Sequence, residues 1–173
     1  MADTNTKYDI VVFGASGYTG RLVAEYLQGE YANTGLKWAM AGRSLDKLAS
    51  VRTALGIPDS VDLVSVDSDD AASVGQMVSD CKVVITTVGP YQLYGEELIK
   101  QCAEQGTDYV DLSGEPNWMH ETIAQHSAAA KASGARIVHS CGFDSIPFDL
   151  GVYCLQQHAI TQTGKPIATV KGR

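Results

Sequence analysis

Short apolar runs, most of them rich in β-branched residues, alternate along the chain with amphipathic stretches of helical length. The runs at residues 8–13, 37–41, 62–66, 82–88, 108–112 and 136–140 are too short for helices and read as strands. Between and after them, helices fit residues 17–28, 44–55, 70–79, 95–105, 117–133 and 147–158. In the first helix Leu22, Val23, Tyr26 and Leu27 fall along one side, a stripe suited to packing on a sheet. The second opens on Ser44, a capping residue, and carries Leu45, Leu48, Val51 and Leu55. This alternation predicts βαβ units and an α/β fold, a doubly wound parallel sheet with helices on both faces. A loop at 161–166 then precedes Ile167-Ala168-Thr169-Val170-Lys171, which reads as the start of another strand.

Composition narrows the function classes. At 173 residues the chain is long enough for one domain with a sizeable core, and 45% apolar against 19% charged residues is ordinary for a globular protein. Thirteen Lys+Arg against twenty Asp+Glu give a net charge of −7, which argues against nucleic acid or an anionic membrane face as partner. No apolar run approaches the ~18 residues of a spanning helix, and no basic-then-apolar leader opens the chain. Cys81, Cys102, Cys141 and Cys154 form no C-x-x-C pair, and His120, His126, His139 and His158 show no ligand spacing. Reduced thiols, a cytoplasmic location and no metal site are the expectation.

The first strand runs directly into Gly14-Ala15-Ser16-Gly17-Tyr18-Thr19-Gly20 and then a helix. A G-x-x-G-x-x-G at a strand-to-helix turn is a relative of the dinucleotide fingerprint. Gly14 serves the tight turn, Gly17 the approach of a pyrophosphate, and Gly20 the helix–strand contact. An empty tight turn is the bland alternative, but the strand before and the helix after favour a cofactor. At the end of the second strand an NAD site wants an acidic residue; here stand Arg43 and Ser44, with Lys47 one turn on. A guanidinium that forks onto a 2′-phosphate favours NADP(H) over NAD(H). Asp67, at the end of the third strand, falls either near the adenine or in a helix cap.

Three later strand ends are loaded with polar and special residues. One runs through Thr87, Val88, Gly89 and Pro90 to Tyr91, another reaches Glu115, and the last carries Cys141, Asp144 and Ser145. Each has a capping explanation taken singly; together they mark the cofactor's far side and a substrate edge. Tyr91, Glu115 and Asp144 are the candidate catalytic groups. No tyrosine has a lysine four residues later, so a Tyr-x-x-x-Lys mechanism is out.

Five segments, YDIVVFGASGYTG from Tyr8, AGRSLDK from Ala41, TVGPYQLY from Thr87, YVDLSGE from Tyr109 and SCGFDSIPFDLG from Ser140, together resemble the saccharopine dehydrogenase-like oxidoreductases, in particular the branch that includes the trans-acting enoyl reductases. The resemblance implies a Rossmann NAD(P)-binding domain at residues 1–160. Residues 161–173 would begin a second domain for substrate and dimer contacts, beyond which the chain is truncated. It implies hydride transfer between the nicotinamide and a carbonyl, imine or activated alkene in a small-molecule or acyl substrate, with a homodimer formed through the further domain. The present chain alone is expected to be inactive. The rival reading is a non-catalytic NADP(H)-sensing or interaction module on the same fold.

Overall fold

The computed structural model describes residues 6–172; residues 1–5, counted above within the 1–160 domain, and Arg173 lie outside the described residues. Among these, the strands are β1 (Tyr8–Phe13), β2 (Trp38–Gly42), β3 (Asp62–Ser65), β4 (Cys81–Thr86), β5 (Asp108–Val110) and β6 (Ile137–Val138). The helices are α1 (Tyr18–Tyr31), α2 (Leu45–Ala54), α3 (Ala71–Ser79), α4 (Tyr91–Tyr94), α5 (Glu96–Gln105), α6 (Pro116–Ser133) and α7 (Ile146–Thr163). The strands form one parallel sheet in the order β3-β2-β1-β4-β5-β6. After β3 the chain crosses back to lay β4 against the free side of β1. The order reverses there, and a crevice opens beyond the carboxyl ends of β1 and β4.

Alternation along β1 feeds two cores. Val11 and Phe13 join Val74, Met77, Leu98, Ile99, Cys102 and Tyr109 under α3, α5 and α6. Val12 joins Met40, Ala24, Leu27, Leu48 and Val51 under α1 and α2. Both faces of β1 are therefore dry, as a central parallel strand requires.

Four expectations need correction. The buried side of α1 is Gly20, Ala24 and Leu27, whereas Leu22 and Tyr26 are half-exposed; small residues win because this helix starts almost in contact with the β1 turn. The fourth strand ends at Thr86, and residues 87–90 form a loop leading to α4, a one-turn helix the apolar pattern did not signal. The last helix continues through Thr163 to Gly164 at φ +74°, so the expected loop from 161 begins later. The run 167–171 is not a strand. Among the described residues no strand pairs with it, and the Gln156 side-chain amide takes both backbone groups of Ile167, at 2.8 and 2.9 Å.

Candidate functional site

The glycine turn is built by its own backbone. Gly14 has φ +91°, and a Cβ there would lie 2.6 Å from Thr87 Oγ1 on the neighbouring β4 loop. A Cβ on Gly20 would overlap the Gly14 carbonyl, so α1 approaches the turn only because position 20 is bare. Gly14 N–H donates to Ala41 O (2.9 Å) and Thr87 N–H to Phe13 O (2.9 Å), which locks the turn between the ends of β2 and β4. At Gly17, the N-cap of α1, no side chain caps the helix, unlike α2 and α3, where Ser44 and Asp70 accept from Lys47 N–H and Ala72 N–H. The α1 terminus thus presents backbone donors and the positive end of its dipole to the crevice.

That crevice, about 420 Å³, is lined by Phe13, Gly14, Ser16, Gly17, Gly42, Arg43, Ser68, Thr87, Val88, Gly89, Pro90 and Tyr94. Arg43 is exposed at its rim. The Gly89–Pro90 peptide is cis. Ala15 is fully buried beneath the turn, and Tyr18 is 84% exposed outside it. Ser44, Lys47 and Asp67 are not among the lining residues; Ser44 caps α2, and Asp67 Oδ1 accepts from Asp69 N–H at 3.2 Å.

A second cavity of about 500 Å³ shares Thr87 with the first as a lining residue. Thr19 and Val23 of α1 form one wall, Ile85 and Val110 its floor, and Asp111–Gly114 and residues 141–145 the rim. Asp144, exposed, lies on that rim. Tyr91 and Glu115 do not join it. Tyr91 is buried, stacked on Trp118 with ring centroids 5.5 Å apart, and its hydroxyl donates to Thr86 O (3.2 Å) and accepts from Leu112 N–H (3.3 Å). Burial pushes its hydroxyl up to about 12. Glu115 caps α4 from afar: its two oxygens accept from Tyr91 N–H and Gln92 N–H, each at 2.8 Å. The structure therefore ties Tyr91 and Glu115 together at α4, where they line neither cavity, and leaves Asp144 apart from both.

Asp111 and His139 are not among the candidates that sequence patterns single out, yet the fold brings them together. Asp111, buried, accepts at Oδ2 from Tyr109 Oη (2.8 Å) and His139 Nδ1 (2.7 Å), and at Oδ1 from Ser113 N–H (2.9 Å) and Ser140 N–H (2.8 Å). Burial works to raise its pKa, but His139 and the two backbone donors outweigh it and hold the carboxyl below its ordinary value. Burial, with Asp111 beside it, drives the Tyr109 hydroxyl far upward. Burial also raises the Cys141 thiol, which disfavours a thiolate nucleophile. Among the described residues no cluster of His, Cys, Asp and Glu is placed to hold a metal ion.

A parallel sheet with a glycine turn at its switch point, an uncapped helix start and an arginine at the second strand end define a dinucleotide-binding domain. Residues 10–138 match the family described as the saccharopine dehydrogenase NADP binding domain, and the chain belongs to that family. A trans-acting enoyl reductase of Mycobacterium leprae is 42% identical over 162 residues, which cover 92% of this chain and 38% of that protein. A lipid droplet localized protein of Caenorhabditis elegans is 43% identical over 159 residues, 88% of this chain and 37% of that protein. Among solved structures, apo saccharopine dehydrogenase (L-Glu forming) from Saccharomyces cerevisiae shares the fold with TM-score 0.71 at 20% identity, over 91% of this chain and 32% of that one. The chain thus spans about two fifths of the length of these two named relatives. No helix among the described residues is long and apolar enough to cross a membrane.

Proposed function

We propose that this domain binds NADP(H) in preference to NAD(H) and holds it for hydride transfer to or from a carbonyl, imine or activated alkene. The pyrophosphate would rest on Gly14, Ser16 and Gly17 against the α1 N-terminus, where a side chain at either glycine would crowd the turn. Arg43, at the crevice rim beyond β2, would fork onto the 2′-phosphate, with Ser44 and Lys47 behind it. Thr87, Val88, Gly89 and Pro90 would then border the nicotinamide, whose ring faces the second cavity across Thr87. When bound, the nicotinamide would supply the hydride chemistry; the chain's residues would bind and orient it, and Ile85 and Val110 give the cavity an apolar floor.

The observation that carries this reading is that Thr87 lines both cavities, so a ligand seated on the glycine turn has an apolar cavity on the other side of that residue. The enoyl reductase name of the M. leprae relative favours an activated alkene among the possible acceptors. Residue by residue, the Asp144 carboxylate is the candidate group facing a substrate, while Tyr91 and Glu115 support the wall. Titration with NADPH and NADH tests the cofactor assignment. Arg43→Asp should weaken NADPH by ~1.5–3 kcal/mol, the scale of a charge-assisted hydrogen bond, and leave NADH level or improved. Equal loss for both cofactors would show that Arg43 does not read the 2′-phosphate.

A further inference from the structure

The ladder between β5 and β6 is short. Its last pair is Val110 with Val138, and the backbone bond there, Asp111 N–H to Val138 O, is long at 3.3 Å. Beyond that pair the ladder ends, yet the two loops continue together as the rim of the second cavity. The Asp111 carboxylate takes over from the ladder. One oxygen receives Ser113 N–H from its own loop and Ser140 N–H from the loop after β6. The other is fixed by Tyr109 Oη and His139 Nδ1, so the carboxylate cannot turn. Ser140 sits at φ +58°, a left-handed conformation costly for a non-glycine residue, and its Oγ donates to Ser113 O at 2.7 Å. Cys141 N–H in turn donates to Asp111 O at 2.7 Å. A buried carboxylate and a strained serine persist only where the surroundings over-determine them, and both are spent on one rim.

We propose that Asp111 is a positioning residue for the nicotinamide half of the cofactor: it fixes the two rim loops against which that half is held. The proposal rests on the NADP(H) reading above. It makes a distinction that a purely structural tie would not make. Adenosine 2′,5′-bisphosphate carries the adenosine half alone and reaches only the glycine-turn crevice, whereas NADPH also reaches the rim.

The test is a pair of titrations on the unaltered protein, Asp111→Asn and Ser140→Ala, with thermal melts alongside. One ligand is adenosine 2′,5′-bisphosphate followed by calorimetry; the other is NADPH followed by its dihydronicotinamide emission. The unaltered protein is expected to prefer NADPH and to enhance that emission. In Asp111→Asn the preference should narrow about tenfold and the enhancement disappear, with affinity for the bisphosphate unchanged. Ser140→Ala deletes one rim hydrogen bond and leaves the carboxylate in place; it should narrow the preference by less, and it decides the matter alone if the asparagine variant does not fold. An undiminished preference in a folded variant, or equal loss for both ligands, overturns the proposal. So does unaltered protein that binds the bisphosphate without preferring NADPH. Unaltered protein that binds neither ligand overturns the NADP(H) reading itself.

Discussion

Two glycines on α1 show how a single Cβ decides the sign of a substitution. Gly29, near the end of α1, has open space around it, so Gly29→Ala adds helix propensity and nothing else. It should stabilise by about 0.5–1 kcal/mol. Gly20→Ala gains the same propensity, but its methyl would overlap the Gly14 carbonyl, which belongs to backbone and cannot swing aside. Overpacking of that kind costs about 1–3 kcal/mol, so the net effect should be destabilising, and α1 should shift off the turn. Urea melts of the two variants check the opposite signs. Cofactor titration should show weaker binding for Gly20→Ala only. A stabilised Gly20→Ala would mean that the close helix–strand contact is not what that position serves. The role of Gly20 was legible in the sequence because the spacing of three glycines between a strand and a helix is local. The Asp111–His139 contact joins residues 28 apart across two strand ends, and no local pattern encodes it.

At the scale of elements, the least legible piece is α4. Four residues are too few for a periodic stripe, and a turn this short depends on its cap. The cap comes from Glu115, on the far side of α5 and β5, whose carboxylate takes the Tyr91 and Gln92 N–H groups. Glu115 stands at the N-cap of α6, a place its sequence context suggests, yet its side chain serves another helix. Strands and long helices were readable because their periodicity extends over many residues, whereas this contact depends on the completed sheet. Since α4 carries Tyr94 and follows Pro90, both on the crevice wall, the cap bears on binding. Glu115→Ala should cost about 1–2 kcal/mol of stability, within the range for a lost cap, and lower NADPH affinity as the wall loosens. Denaturant melts and titration should move together. An unchanged affinity in a destabilised variant would separate α4 from the site.

Across the whole molecule the two sheet faces are unequally covered. Under α3, α5 and α6 the core is continuous from β1 to β5, with Val84 and Tyr109 fully buried. On the opposite face α1 and α2 cover β1 to β3, while Val138 of β6 is 48% exposed and Ile85 and Val110 floor an open cavity. The α7 helix does not supply the missing cover. None of its residues is buried, although Phe148, Leu150, Tyr153, Leu155 and Ile160 are all exposed apolar side chains. An isolated helix of this length is marginal in water, and helices in proteins owe most of their stability to a packed face. Because α7 lacks that face, it should open well before the core. Native-state hydrogen exchange on the 173-residue chain tests this. Amides of α7 are expected to exchange through local opening, orders of magnitude faster than those of β1 and β4, which should exchange only on global unfolding. The same apolar surface should drive concentration-dependent association, which Phe148→Glu together with Leu155→Glu should suppress without moving the melting temperature. Protection of α7 equal to that of β1 in a monomeric sample would show that the helix is stabilised without a partner, and the uneven burial would then not govern its stability.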